Sequence, residues 1–354
     1  MEPRTVTLRP RPPWFGGTLQ TVRALRWPFP TPLPPGHRLW LPLPDGDALA
    51  STLHLPPGSS AASAKPLAAL VHGLTGSEDD PCLREAAAGL LRRGFPVLRL
   101  NLRGSAKSRP RSTSHYHLGR SADLAAALSA LPETLTGGGI VVAGWSLGGA
   151  LALLLLAREE ERRDVAPILA GAAVCPPLQP EVAHQAMDAN AVLGRALLAL
   201  YRSEVLAVPA RDLDADLRRA AGRATSLHEF EATVTAPRFG YPSYEVFTEM
   251  ERPASALPNI RVPTLLLMGG DDPLVPADAS MDGIEWGMCP AVAPLVVRGA
   301  GHCGFYDLGR ESLSVRAIGA FFEGAAGGGA TAAGATAAGT AAAAAARVAE
   351  PAPA

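Results

Sequence analysis

The sequence predicts an α/β fold: a mostly parallel, eight-stranded sheet with helices on both faces and a helical cap inserted late in the chain. Three observations carry this. From Leu67 onward, continuous apolar runs alternate with helical stretches, as expected when a parallel sheet is covered on both faces. A short apolar run, Ile140 to Ala143, leads into Gly144-Trp145-Ser146-Leu147-Gly148-Gly149 and then a second apolar run, which reads as strand, sharp turn and helix. Between Pro176 and about Ala256 the strand-like runs disappear, and they resume afterwards. Repeated βα units of this kind imply right-handed crossovers.

Taken in order, residues 1–36 are rich in Pro, Trp and Arg and read as an extended arm packed along a surface, with Trp14, Phe15, Trp27 and Phe29 available to bury. Arg38 to Leu55 alternates apolar and polar residues around Asp45-Gly46, the mark of a β-hairpin. Leu67 to Val71 is a strand. Asp79-Asp80-Pro81 supplies an N-cap and a first-turn proline for a helix reaching Arg93, where Gly94 closes it. Phe95 to Leu100 is the next strand, Ser121 to Leu131 a helix, and Ile168 to Val174 a strand after the turn already described. The core therefore comprises residues 37–175 and 257–323, interrupted by a helical insertion over 176–256 in which Ala189 to Leu206 and Leu213 to Ala224 read as helices. Thr264 to Met268 and Leu295 to Val297 return to strand, and Leu313 to Phe322 is an amphipathic helix. Residues 324–354 are almost only Ala, Gly and Thr and hold too few large apolar groups for a core.

Composition narrows the function. With 47% hydrophobic and 18% charged residues in 354, the chain can bury a sizeable core. A net charge of −1 leaves no basic field, and the arginines are not gathered into a stripe interleaved with aromatics, so nucleic acid is not expected as a partner. Cys82, Cys175, Cys289 and Cys303 are widely spaced, without a C-x-x-C pair or histidines at zinc-ligand spacing, so neither a disulfide framework nor a metal site is signalled. The N-terminus has no apolar leader, and the longest apolar run, Ala150 to Ala157, is too short to span a bilayer. The expectation is a cytoplasmic protein, with peripheral membrane contact through the arm left open.

The chemistry centres on Ser146. In a G-x-S-x-G turn the serine is held in a strained conformation that pushes its hydroxyl out of the bend, and the helix that follows aims free N–H groups at the same place. In a chain with 36 glycines the five-letter pattern is weak alone, and a buried strand with a glycine-rich turn is the plain alternative. Its partners decide. Of the eight histidines only His302, in Gly299-Ala300-Gly301-His302, follows a strand near the domain's end, where an α/β-hydrolase places its base. The acid belongs on the loop after the preceding strand, in Gly269-Gly270-Asp271-Asp272-Pro273, where either aspartate can orient the imidazole and the other caps the turn. Two oxyanion donors are expected: the N–H of Leu147, after the nucleophile, and that of Leu74 in Val71-His72-Gly73-Leu74-Thr75-Gly76. His72 is read as a brace for that loop.

At these residues the chain resembles the YheT-like α/β-hydrolases, a group that includes plant embryogenesis-associated hydrolases and animal lipid-metabolising relatives. The resemblance runs from about Pro12 to Phe322. It rests on the Pro-Pro-Trp and Leu19-Gln20-Thr21 arm, His72 to Asp80, Leu100 to Gly104, Tyr116 to Leu124, the serine turn, Thr235 to Tyr241, Asp271-Asp272-Pro273 and Gly299 to Phe305. It implies hydrolysis of carboxylic esters, medium-chain acyl or lipid-like, with Ser146 as nucleophile, Asp272 as acid, His302 as base and neither metal nor organic cofactor. Two departures stand out. The family commonly has Arg-Gly-Cys-Gly-Gly-Ser where this chain has Arg103-Gly104-Ser105-Ala106-Lys107-Ser108, and His where this arm has Thr18. A thioesterase, acyltransferase or amidase on the same fold, and a non-catalytic binding protein that keeps it, are the rival readings.

Overall fold

In the computed structural model, which describes residues 2–29, 31–58, 65–209 and 212–327, nine strands form one sheet. They are β1 (Arg4–Thr7), β2 (His37–Pro42), β3 (Ala48–His54), β4 (Leu67–Val71), β5 (Val97–Leu100), β6 (Ile140–Trp145), β7 (Ile168–Val174), β8 (Thr264–Gly269) and β9 (Val292–Arg298). Their spatial order is β1-β9-β8-β7-β6-β4-β5-β3-β2. The pairs from β1 to β5 are parallel, and the β2–β3 hairpin adds an antiparallel edge.

The sheet has one strand more than the sequence predicts. The extra one, β1, belongs to the arm and pairs with β9 at the edge. The β-branched Thr-Val-Thr suits a strand, but four mostly exposed residues among prolines are too short a run to announce one, and their order comes from β9 and from burial of the neighbouring Leu8. The arm differs in a second respect, since Gly17–Arg26 is a helix where extended chain was expected. The prolines stop at Pro13 and resume at Pro28, so nothing between them resists helix. The buried stripe of this helix is Gly17, Gln20, Thr21 and Ala24, at helical spacing but with hardly an apolar side chain to announce it.

Side chains alternate across the sheet and build a core on each face. Along β4, Leu67, Ala69 and Val71 join one cluster while Ala68 and Leu70 join the other, and Ile140, Val141, Val142 and Ala143 of β6 repeat the alternation. The helix Leu147–Ala157 after β6 is buried on all sides, which fits its unbroken apolar sequence and fixes the turn before it. Between β7 and β8 the chain forms helices, chiefly Pro180–Ala189, Leu193–Ala207 and Ala215–Arg223. The last helix, Leu313–Gly327, buries Ile318, Phe321 and Phe322 beneath the sheet face lined by Pro81–Arg92. Most of the Ala/Gly-rich tail, 328–354, lies outside the described residues. No helix among the described residues is long and apolar enough to cross a membrane.

Candidate active site

Ser146 stands at the carboxyl end of β6 with φ 51° and ψ −123°, a backbone conformation that a non-glycine residue adopts only when its surroundings impose it. Those surroundings are glycines. A Cβ on Gly144 would lie 2.1 Å from the carbonyl oxygen of Gly148, and one on Gly148 would lie 2.3 Å from that of His72, so neither position admits a side chain. The bend thus crosses the loop after β4 at van der Waals distance, and Ser146 is presented rather than packed.

The loops after β8 and β9 bring the other two residues to it. His302 Nε2 lies 2.9 Å from Ser146 Oγ, and His302 Nδ1 lies 2.7 Å from Asp272 Oδ2. Asp272 is buried and Asp271 is exposed, which separates the two adjacent carboxylates. Sequence reasoning divided the acid and the turn cap between them. In the structure Asp272 makes both contacts: its Oδ1 accepts the N–H groups of Leu274 (2.8 Å) and Val275 (2.9 Å), which leaves Oδ2 for the imidazole. A carboxylate pinned in this way cannot rotate.

The same contact sets the charge on the imidazole. Burial pulls the His302 pKa down, but the negative charge of Asp272 and its hydrogen bond more than compensate, and the value is pushed up to about 9. An unperturbed histidine titrates at about 6.5.

Leu74 and Leu147 both line the cavity that opens over Ser146. Gly73 passes so close that a Cβ there would sit 3.0 Å from Ser146 Cβ. The loop is held from behind: His72 is fully buried, with its Nδ1 2.7 Å from the Gly73 carbonyl and its Nε2 accepting the Leu102 N–H (3.0 Å). Burial pushes the His72 pKa down to about 4, so it braces the loop as a neutral ring. Tyr116, within one of the motif stretches, accepts the Thr75 N–H through its hydroxyl at 2.7 Å. Among the described residues no protein acceptor engages the N–H of Leu74 or Leu147, so both are free for an anionic oxygen.

The cavity is narrow, about 40 Å³, room for roughly three waters. Its walls are mostly apolar, from Leu118, Pro180, Ala183, Met187 and Phe247, with the segment between β7 and β8 supplying several of them. Glu231 and His184 are the polar exceptions on that side, and burial raises the Glu231 carboxyl to about 7.

Among the described residues one cluster could offer metal ligands. The thiols of Cys175 and Cys303 and the His302 imidazole lie within 4.8 Å of one another, a proximity that the sequence spacing does not announce. The contact with Cys175, together with burial, holds the Cys303 thiol far above the ordinary thiol range. A thiol held protonated, as that of Cys303 is, makes a poor metal ligand.

Residues 69–307 match the family model described as the alpha/beta hydrolase fold. The chain is 24% identical over 284 residues to "Medium-chain fatty acid ethyl ester synthase/esterase 2" of Saccharomyces cerevisiae, covering 73% of this chain and 62% of that protein. It therefore spans about three fifths of that relative's length. To "Putative esterase YheT" of Escherichia coli it is 28% identical over 273 residues, 75% of this chain and 77% of the relative, in keeping with the resemblance read from the motifs. Among solved structures, Est1E from Butyrivibrio proteoclasticus with ferulic acid bound superposes with a TM-score of 0.51 at 20% identity, covering 80% of this chain and 98% of that one. That likeness is one of fold.

Proposed function

The chain belongs to the alpha/beta hydrolase fold family, and from that premise we propose that it is a serine hydrolase cleaving carboxylic esters, medium-chain acyl or lipid-like, through Ser146, His302 and Asp272. The observation that carries the reading is the unbroken chain of short contacts from Asp272 through His302 to Ser146, ending at an apolar cavity. The esterase names of the relatives support the same class of substrate.

In this mechanism His302 Nε2 removes the Ser146 proton as Oγ attacks the ester carbonyl. The carbonyl oxygen becomes an oxyanion, accepted by the N–H groups of Leu147 and Leu74, while Asp272 holds the imidazolium. Collapse breaks the bond to the alcohol, which leaves with the proton from His302. Water then attacks the acyl-enzyme, giving its proton to His302, and the acid is released as Ser146 recovers its own. Because the cavity holds only a few waters, an acyl chain enters when the helices carrying Ala183, Met187 and Tyr201 move outward. We assign those helices the role of a cap. A panel of p-nitrophenyl esters from acetyl to palmitoyl tests the reading: turnover is expected to peak at medium length, and a protein inert to every member would sink it.

The pH dependence follows from the His302 shift. The base works only when neutral, and Asp272 keeps it protonated up to about 9, so kcat/KM should climb with pH, by about tenfold per unit in the acid range, and level off near 9 rather than near 6.5. A profile already flat at pH 7, with chemistry rate-limiting, would contradict it.

We further propose that the arm meets a membrane surface. Phe15, Leu19, Leu25 and Trp27 are exposed although large and apolar, and residues 1–36 contain five arginines against one glutamate. Arg23 is buried, but Arg4, Arg9, Arg11 and Arg26 are exposed, and apolar side chains with exposed positive charge on one segment fit an anionic bilayer. The protein should sediment with vesicles containing phosphatidylserine, and Phe15→Ser with Trp27→Ser should reduce that binding. Equal sedimentation of the double variant would remove the arm from the account.

A further inference from the structure

We infer that Thr21, on the arm helix, is a positioning residue for the base His302, and that the arm belongs to the working site rather than to its surroundings. The inference rests on the serine-hydrolase reading and adds a residue to it. Thr21 Oγ1 donates to the Gly17 carbonyl at 2.8 Å and accepts the backbone N–H of His302 at 2.8 Å. The hydroxyl is buried, so its orientation is fixed by the helix turn beneath it and no water competes for the bond.

The packing around this bond has no slack. A Cβ on Gly301 would lie 1.9 Å from the Gly17 carbonyl oxygen and 2.5 Å from Thr21 Oγ1, and one on Gly304 would lie 2.2 Å from the Gln20 carbonyl oxygen. The glycines flanking His302 are there to let the helix approach. On its other side the helix meets the acid loop, where a Cβ on Gly17 would stand 1.6 Å from the Asp271 carbonyl oxygen. Gln20 completes the clamp: its Nε2 donates to the carbonyls of Trp14 (2.8 Å) and Tyr306 (3.0 Å), and its Oε1 accepts the Tyr306 N–H (2.9 Å). One helical turn thus touches the loops of both Asp272 and His302. Neither loop is regular structure, and the base loop keeps Cys303 at φ 56°. Its position comes from outside, and Thr21 is where the helix grips the base itself.

The consequence is kinetic. Misplacing a catalytic group by about 1 Å can cost about 10²-fold, without weakening substrate binding. Thr21→Val keeps the shape of the side chain and removes the hydroxyl. It should lower kcat roughly 10- to 100-fold with KM within about twofold, whereas Thr21→Ser should stay within about threefold of the wild type. Labelling of Ser146 by a fluorophosphonate should slow in the same proportion as kcat. Should Thr21→Val fail to fold, Thr21→Ala gives the same comparison. Wild-type kcat and labelling in a folded Thr21→Val or Thr21→Ala overturn the inference and leave the triad untouched. A serine variant as slow as the valine one overturns it as well, as does failure of both hydroxyl-free variants to fold, which would give Thr21 a purely structural role. If the wild-type protein itself neither hydrolyses esters nor labels, the serine-hydrolase reading falls first and this inference with it.

Discussion

Ser146→Ala is expected to lower ester turnover by on the order of 10⁶ while leaving the melting temperature within a few degrees of wild type. The size of the loss reflects what is removed, since neither His302 nor water held in the same place can form the acyl-enzyme without the serine oxygen. Binding and the two proposed oxyanion donors remain, so a residual rate above the uncatalysed one should persist. The small effect on stability follows from the geometry. Alanine keeps the Cβ, so the turn at φ 51° is as strained as before, and the glycines at 144 and 148 that permit the crossing are untouched. Only the contact to His302 Nε2 is lost, at a position that faces the cavity. Turnover of a p-nitrophenyl ester and a thermal melt on the same preparation decide the matter. A variant that keeps most of the activity would show that another residue carries the reaction, whereas one that is inactive because unfolded would show up in the melt.

What the sequence made legible was whatever depends on local pattern. Strands buried on both faces announce themselves as apolar runs, so Leu67 to Val71 and Ile168 to Val174 were placed to the residue, and the Asp45-Gly46 hairpin appeared as β2 and β3. That Ser146 and His302 meet was legible because each sits at a strand end in a glycine-rich turn. The arm helix was not, since its buried stripe of Gly17, Gln20, Thr21 and Ala24 is defined by what it touches near residues 271 and 301–306, far away in sequence. Likewise, nothing local says that Asp272 rather than Asp271 faces the histidine. One departure from the family acquires a physical meaning: Ala106 sits at φ 34°, in the left-handed region, where the family's glycine would be free of strain. Ser105, in the cysteine's place, donates to the Leu102 carbonyl at 2.8 Å and stands 3.1 Å from His72 Nε2, behind the Leu74 loop.

The neighbouring aspartates should separate cleanly. In Asp272→Asn the N–H groups of Leu274 and Val275 still require an acceptor, so the amide oxygen stays on the turn and the NH₂ group is forced toward His302. A donor there makes Nδ1 the acceptor and moves the ring proton to Nε2, where the imidazole can no longer take the proton of Ser146. Turnover should fall about 10⁴-fold, as expected when the orienting acid enforces the wrong tautomer. The charge also goes, so whatever activity remains should have its acid limb shifted from about 9 back toward the ordinary histidine range. Asp271→Asn makes the opposite case. Asp271 is exposed and contributes to the site through its backbone, whose N–H donates to the Ala300 carbonyl at 3.0 Å and whose carbonyl meets Gly17. An amide at this surface position should change stability by no more than about 0.5 kcal/mol and turnover hardly at all. Turnover, pH profile and melting temperature of the two variants therefore test the assignment together. An inactive Asp271→Asn beside a fully active Asp272→Asn would shift the acid by one residue, and near-normal turnover in both would mean that His302 works without a carboxylate partner.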